Sequence, residues 1–85
     1  MYKVVVESRV YKDLDRIPSR DLDKIYEAII GLEFDPRHAG IKKLKGQKNI
    51  YRIRQGDYRI IYSIDDITKV VSIILVRHRK DVYRD

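Results

Sequence analysis

The sequence predicts an α+β fold in which a two-helix hairpin packs on one face of an antiparallel sheet. Two observations predict it. Apolar residues recur at helical spacing between residues 8 and 32, and from Ile50 onward the apolar period drops to two. A helix stripe and a half-buried strand each need a partner surface, and packing one on the other buries both. At 85 residues the chain has room for one hydrophobic core, so one domain over 1–85 is expected.

Residues 2–7 (Tyr2 to Glu7) carry three consecutive valines and read as a buried strand. Ser8 is expected to cap a first helix running to about Ile17, with Val10, Leu14 and Ile17 on one face. Pro18 cannot continue that helix, and Ser19 is expected to cap a second one. Its apolar stripe is Leu22, Ile25, Tyr26, Ile29 and Leu32, and the short connection favours an antiparallel pair.

Asp35-Pro36 ends the second helix, and residues 35–49 show no period. This stretch holds Lys42, Lys43, Lys45 and Lys48, and long loops in a compact domain often carry function. Residues 50–54 and 57–64 then alternate on either side of Gln55-Gly56, which is expected to be a two-residue hairpin turn. Asp65-Asp66 opens another turn, and residues 69–76 form the third strand of a meander. The tail from Arg77 to Asp85 is short and polar.

Composition narrows the chemistry. There is no Cys, so disulfides and thiolate metal sites are excluded. No apolar run approaches the roughly 20 residues of a membrane span, and the N-terminus does not resemble a signal peptide. A soluble, cytoplasmic protein is expected. Lys and Arg number 19 against 13 acidic residues, a net charge of +6. The excess lies in the second half: residues 42–85 hold 12 basic and 5 acidic residues, whereas residues 1–41 hold 7 and 8. A basic half on a small domain favours encounter with polyanions, nucleic acid first among them. A solvated basic face without a ligand is the alternative.

Strand alternation sharpens the charge argument. With Gln55-Gly56 as the turn, Arg59 is expected opposite Arg52, and Arg52, Arg54 and Arg59 share one face. Tyr51, Ile53, Tyr58, Ile60 and Tyr62 then share the core face. Like charges opposite one another destabilise a sheet slightly, and an anion over them reverses the sign. Guanidinium groups bind phosphate through two parallel hydrogen bonds.

The tail adds Arg77, His78, Arg79, Lys80, Tyr83 and Arg84 within eight residues. An imidazole titrates near neutrality and moves protons, a phenol stacks on a base, and a guanidinium stabilises charge on phosphate. Taken alone, a histidine this near a terminus, such as His78, is usually a polar surface residue. His38 and His78 are far apart and match no ligand spacing, so no metal site is expected, and no cofactor motif is present.

Three motifs together resemble the RelE family of toxins from bacterial and archaeal toxin–antitoxin pairs. They are Lys43-Leu44-Lys45-Gly46, the segment Tyr51-Arg52-Ile53-Arg54-Gln55-Gly56-Asp57-Tyr58-Arg59-Ile60-Ile61-Tyr62, and His78-Arg79-Lys80-Asp81-Val82-Tyr83. The resemblance implies a β-α-α-β-β-β order with a twisted antiparallel sheet. It implies a ribosome-dependent endoribonuclease that cuts mRNA in the ribosomal A site, the ribose 2′-oxygen attacking the adjacent phosphate. It also implies a RelB-like antitoxin, a toxin–antitoxin heterotetramer and contacts to ribosomal RNA.

By the same resemblance, Arg59 contacts the scissile phosphate, Arg77 protonates the leaving oxygen and Tyr83 stacks on the substrate nucleotide. Arg54 and Arg52 stand where a well-known member has lysines, one of them proposed as general base, and His78 matches a histidine of many relatives. Lys43, Lys45, Lys48, Arg52, Arg79 and Lys80 are the expected RNA-binding residues, and Arg54, Arg59, Arg77, His78 and Tyr83 the expected catalytic ones. Arginine is a poor proton acceptor, so either His78 takes the proton or positioning and charge stabilisation supply most of the rate. Relatives often continue into a further helix; here it is expected to be absent or a single turn. Two other readings share the fold: a ParE-like inhibitor of DNA gyrase, and a non-catalytic nucleic-acid-binding co-repressor.

Overall fold

The N-terminal valine run becomes a sheet edge. A computed structural model of the chain describes residues 1–38 and 41–82. Its elements are β1 (Lys3–Val6), α1 (Val10–Leu14), α2 (Ser19–Gly31), β2 (Ile41–Lys43), β3 (Ile50–Gln55), β4 (Tyr58–Asp65), β5 (Val70–His78) and α3 (Arg79–Val82). The strands form one sheet in the order β1-β5-β4-β3-β2. The α+β class stands, but the sheet is mixed: β2 to β5 pair antiparallel, whereas β1 runs parallel to β5. Parallel neighbours require a long crossover, and everything between β1 and β5 supplies it.

Both helices begin differently from expectation. Arg9, not Ser8, is the N-cap of α1, and Pro18, not Ser19, is that of α2; neither end has a side-chain cap bond. The Pro18 carbonyl instead accepts from the amides of Asp21 and Leu22. α1 stops at Leu14, three residues early. The chain then tightens, Arg16 N bonding Asp13 O and Ile17 N bonding Leu14 O at i→i−3 spacing, which still delivers Ile17 to the core.

The core lies between the helices and one sheet face. Val10, Leu14, Ile17, Ile25, Ile29 and Leu32 meet Ile53, Ile60, Tyr62, Ile64, Val71, Ile73 and Val76, all buried. Tyr26, expected in the second stripe, is exposed at the margin of α2. The segment after α2 is tied down by polar contacts. Tyr62 Oη donates to the Pro36 carbonyl at 2.7 Å, and Arg37 grips Asp66 through Nη1 and Nη2 at 2.9 and 2.8 Å.

Three departures in the sheet bear on the site. The expected lysine-rich loop contains a strand, β2, which pairs Lys42 with Arg52. The β3–β4 turn is Gly56-Asp57 rather than Gln55-Gly56, because Gln55 pairs with Tyr58 and Gly56 takes φ +59°. A positive φ at the first central residue is the II′ pattern, in which glycine is favoured. Arg59 therefore faces Arg54, not Arg52. The third departure is a bulge in β5: Ile61 pairs with Leu75 but Tyr62 with Ile73, leaving Ile74 over. One extra residue reverses the alternation beyond it. Val71 and Ile73 face the core before the bulge, and Val76 does so after it.

Among the described residues no helix is long and apolar enough to cross a membrane.

Candidate nucleic-acid interface

On the sheet face away from the helices, neighbouring strands place arginines in register. Arg54 of β3 pairs with Arg59 of β4, and Arg59 pairs with Arg77 of β5. The three Cα atoms form one row across the sheet, at strand spacings of about 4.8 Å. The next row on this face is Lys42, Arg52, Ile61 and Leu75. The face thus carries five cations in two adjacent rows, with two half-buried apolar side chains beside them.

Arg54 and Arg59 stand opposite one another, and like charges so placed cost a sheet some stability. Arg59, in the middle, is only 6% exposed, and its Nη1 lies 3.4 Å from the Tyr58 carbonyl. Among the described residues no carboxylate forms an ion pair with it. Arg54 is exposed and Arg52 half-buried. Arg77 reaches round the outer edge of β5, where its Nη1 donates to Asp13 Oδ1 of α1 and lies 3.3 Å from the Val76 carbonyl.

The bulge separates the two adjacent candidates of the tail. Arg77 joins the arginine row, whereas His78 pairs with Tyr58 on the helix side. Its ring meets Tyr58 edge-on at 5.3 Å and 88°. The Lys80 amide donates to His78 Nδ1 at 3.2 Å, which in the neutral ring leaves the proton on Nε2. His78 and Tyr58 line a cleft of about 380 Å³ with Asp13, Arg16, Ile17 and Arg77. Burial, followed by the charges of Asp21, Asp57 and Asp81, raises the Tyr58 hydroxyl above its ordinary pKa, so it stays a proton donor.

Arg79 starts α3, the single turn that follows β5. Its amide donates to the Asp57 carbonyl at 2.6 Å, and its Nε lies 3.5 Å from Asp57 Oδ1, which joins the tail to the β3–β4 turn. Lys80 is exposed. Tyr83 lies outside the described residues.

The lysines expected to bind RNA, Lys43, Lys45 and Lys48, are elsewhere. Lys45 and Lys48 occupy the β2–β3 turn, where Gly46 has φ +73° and Asn49 φ 59°. That turn adjoins Ile50, and Arg54 sits four residues further along β3, about 13 Å at 3.3 Å per residue. Lys43 pairs with Tyr51 and so has the opposite facing to Arg52. The structure therefore brings Arg52, Arg54, Arg59 and Arg77 to neighbouring positions, turns Lys43 to the opposite face and leaves Lys45 and Lys48 at the other end. Sequence reasoning missed Lys42 and Asp13 as neighbours of the row. Lys42 follows from reading Ile41-Lys42-Lys43 as a strand, while nothing in the sequence links Asp13 to a residue 64 positions away.

A row of guanidiniums on a firm sheet suits a phosphodiester: it offers paired donors to non-bridging oxygens and stabilises added negative charge. Among the described residues no three His, Asp or Glu gather in a way that could hold a metal.

Known proteins match this chain over nearly its whole length. A family model described as the ParE toxin of the type II toxin–antitoxin system parDE matches residues 4–83. Putative toxin RelE1 of Methanocaldococcus jannaschii is 31% identical, covering 99% of this chain and 97% of its own. Toxin RelG of Mycobacterium tuberculosis is 33% identical, with 98% and 97% covered. Among solved structures, the archaeal RelE–RelB complex from Pyrococcus horikoshii superposes with a TM-score of 0.80 at 34% identity, over 92% of this chain and 94% of the other. The RelBE2 toxin–antitoxin complex of Mycobacterium tuberculosis gives 0.81 at 32%, over 92% and 98%. On these likenesses in sequence and fold, the chain belongs to the RelE family of type II toxin–antitoxin toxins.

Proposed function

We propose that this toxin is a ribosome-dependent endoribonuclease that arrests translation by cutting mRNA in the ribosomal A site. The observation that carries the reading is the register of Arg54, Arg59 and Arg77, arginines at paired positions on three neighbouring strands. A row that costs the fold something when empty gains most from a ligand with concentrated negative charge. In the proposed reaction the 2′-oxygen attacks the adjacent phosphorus, the bond to the 5′-oxygen breaks, and a 2′,3′-cyclic phosphate and a 5′-hydroxyl end result. Arg59 and Arg54 hold the non-bridging oxygens as charge builds, and Arg77 faces the leaving oxygen and protonates it. Tyr83 stacks on the substrate base, and Lys43, Lys45, Lys48, Arg52, Arg79 and Lys80 draw in RNA, including ribosomal RNA. His78, at the end of β5 next to Arg77, accepts the proton of the 2′-hydroxyl. A His78→Gln variant that cleaves at the wild-type rate removes it from the chemistry.

Primer extension on mRNA from translating cells, and on purified mRNA with and without ribosomes, is the test. Cleavage is expected only with ribosomes, and Arg59→Ala and Tyr83→Ala are expected to abolish it while the fold survives. Cleavage that persists in both variants contradicts the assignment.

Relatives of known structure include complexes with RelB proteins. An antitoxin of that kind is the proposed partner here, in a heterotetramer, acting in the cytoplasm. Co-expression of a small acidic protein encoded beside the toxin gene, where there is one, is expected to restore growth.

A second reading keeps the fold and drops the nuclease. The matching family model bears the ParE name, and ParE-type toxins poison DNA gyrase. Trapped gyrase–DNA cleavage complexes with intact mRNA would favour it.

A further inference from the structure

The outer edge of β5 changes partner part-way along. β1 covers it as far as Ile73, whose carbonyl accepts from the Glu7 amide at 3.1 Å. Beyond the bulge, α1 takes over. Arg9 Nε donates to the Ile74 carbonyl at 3.1 Å, and the Val76 amide donates to Asp13 Oδ2 at 3.1 Å. The second oxygen of the same carboxylate accepts from Arg77 Nη1. The Asp13 side chain is 11% exposed and that of Arg77 34%. One largely buried carboxylate therefore ties the exit of the bulge to the guanidinium at the end of the arginine row.

We infer that Asp13 is a positioning residue for the cleavage reaction, holding Arg77 in the orientation that meets the phosphate; the inference rests on the nuclease reading above. Asp13 does not touch RNA and acts through Arg77. A guanidinium has five N–H donors, so a carboxylate at one end leaves others for a phosphate oxygen. The pairing also neutralises one of three adjacent like charges while the row is empty. Freed from Asp13, Arg77 gains rotamers, and the orientation needed in the transition state is populated less often. Affinity for RNA does not fall with it, because loss of Asp13's charge leaves the site more positive.

The test is single-turnover cleavage of a short mRNA on programmed ribosomes with toxin in excess, read as maximal rate and half-saturating concentration. Asp13→Asn keeps an oxygen for the Val76 amide but not the charge. The maximal rate is expected to fall at least tenfold, with half-saturation unchanged or at lower concentration. Asp13→Glu restores the charge and is expected to recover part of the rate. Asp15→Asn, at an exposed position just past α1, makes the same change in net charge and is expected to match wild type. In an Arg77→Ala background, Asp13→Asn is expected to add no further loss, since both act on one group. Thermal melting checks that each variant is folded.

A maximal rate equal to wild type in Asp13→Asn overturns the inference, as does a loss that adds in full to that of Arg77→Ala. Rate and affinity falling together with the folded fraction, with Asp13→Glu no better, also overturns it. A wild-type protein that cleaves nothing overturns the nuclease reading and this inference with it, whereas an active wild type with an equally active Asp13→Asn overturns this inference alone.

Discussion

Arg59 and Tyr62 lie three residues apart on β4, and each shows how one group is held. Arg59 is a buried guanidinium between two other arginines. If its role is bidentate contact with phosphate, charge alone does not replace it. Arg59→Lys is then expected to lose roughly 100-fold or more in cleavage, close to Arg59→Ala, because an ammonium cannot match two oxygens at once. Near-normal cleavage by the lysine variant would show that a point charge suffices. Tyr62 faces the core, and its hydroxyl closes the buried Pro36 carbonyl at 2.7 Å. Burial, together with the neighbouring Tyr51 and Asp35, holds that hydroxyl well above the usual phenol range. Tyr62→Phe leaves the acceptor unsatisfied and is expected to cost about 1–2 kcal/mol in urea unfolding. Which face each of these residues takes was readable from alternation. That Arg59 would be buried was not, because burial depends on what the neighbouring strands bring beside it.

The β3–β4 hairpin and the β5 bulge show how far elements can be read. Moving the turn by one residue, from Gln55-Gly56 to Gly56-Asp57, changes the sum of paired residue numbers by two. Every side chain keeps its face while its cross-strand partner changes, so the arginine face was legible although the pairing of Arg59 was not. The bulge at Ile74 is the opposite case. It shifts the register by one and thereby decides that Arg77, not His78, joins the row, and no residue pattern announces it. β2 was missed because three residues are too few to show a period, and the caps because backbone carbonyls did the work expected of Ser8 and Ser19. The turn makes its own prediction. A Cβ at Gly56 meets nothing within 4 Å, so substitution there tests chiefly the backbone conformation. Gly56→Val is expected to destabilise by about 1–2 kcal/mol and Gly56→Asn by less, since asparagine tolerates positive φ. Equal losses measured by urea unfolding would mean that contacts, not φ, govern the site. Because Asp57 in this turn also holds Arg79, the valine variant is expected to loosen α3 as well.

Across the whole molecule, the chain's distant parts converge on Asp66, at the end of the sheet remote from the arginine row. Arg37, from the segment after α2, binds it through two hydrogen bonds and also donates from Nε to Tyr51 Oη of β3 at 3.0 Å. Tyr2, just before β1, donates to Asp66 Oδ1 at 2.7 Å, and the Lys69 ammonium lies 4.9 Å from the centre of the Tyr2 ring. The hydrogen bonds from Arg37 and then Tyr2 pull the Asp66 carboxyl down to about 2. Beside it, the Thr68 and Ile67 amides lower Asp65. In the unfolded chain an Asp titrates near about 3.9. Between these values the unfolded state binds more protons, so stability rises with pH there. The contribution is complete above about pH 4 and disappears as pH falls through about 2, while Arg37, raised by Asp66 and Tyr51, stays charged throughout. Thermal melts from pH 2 to 7 are expected to show a steep loss of Tm for wild type below pH 4. Asp66→Asn is expected to melt lower at pH 7 and to lose less on acidification, so that the two curves converge near pH 2. Parallel curves would mean that the convergence on Asp66 is geometry without energetic consequence, and that acid sensitivity resides in other carboxylates.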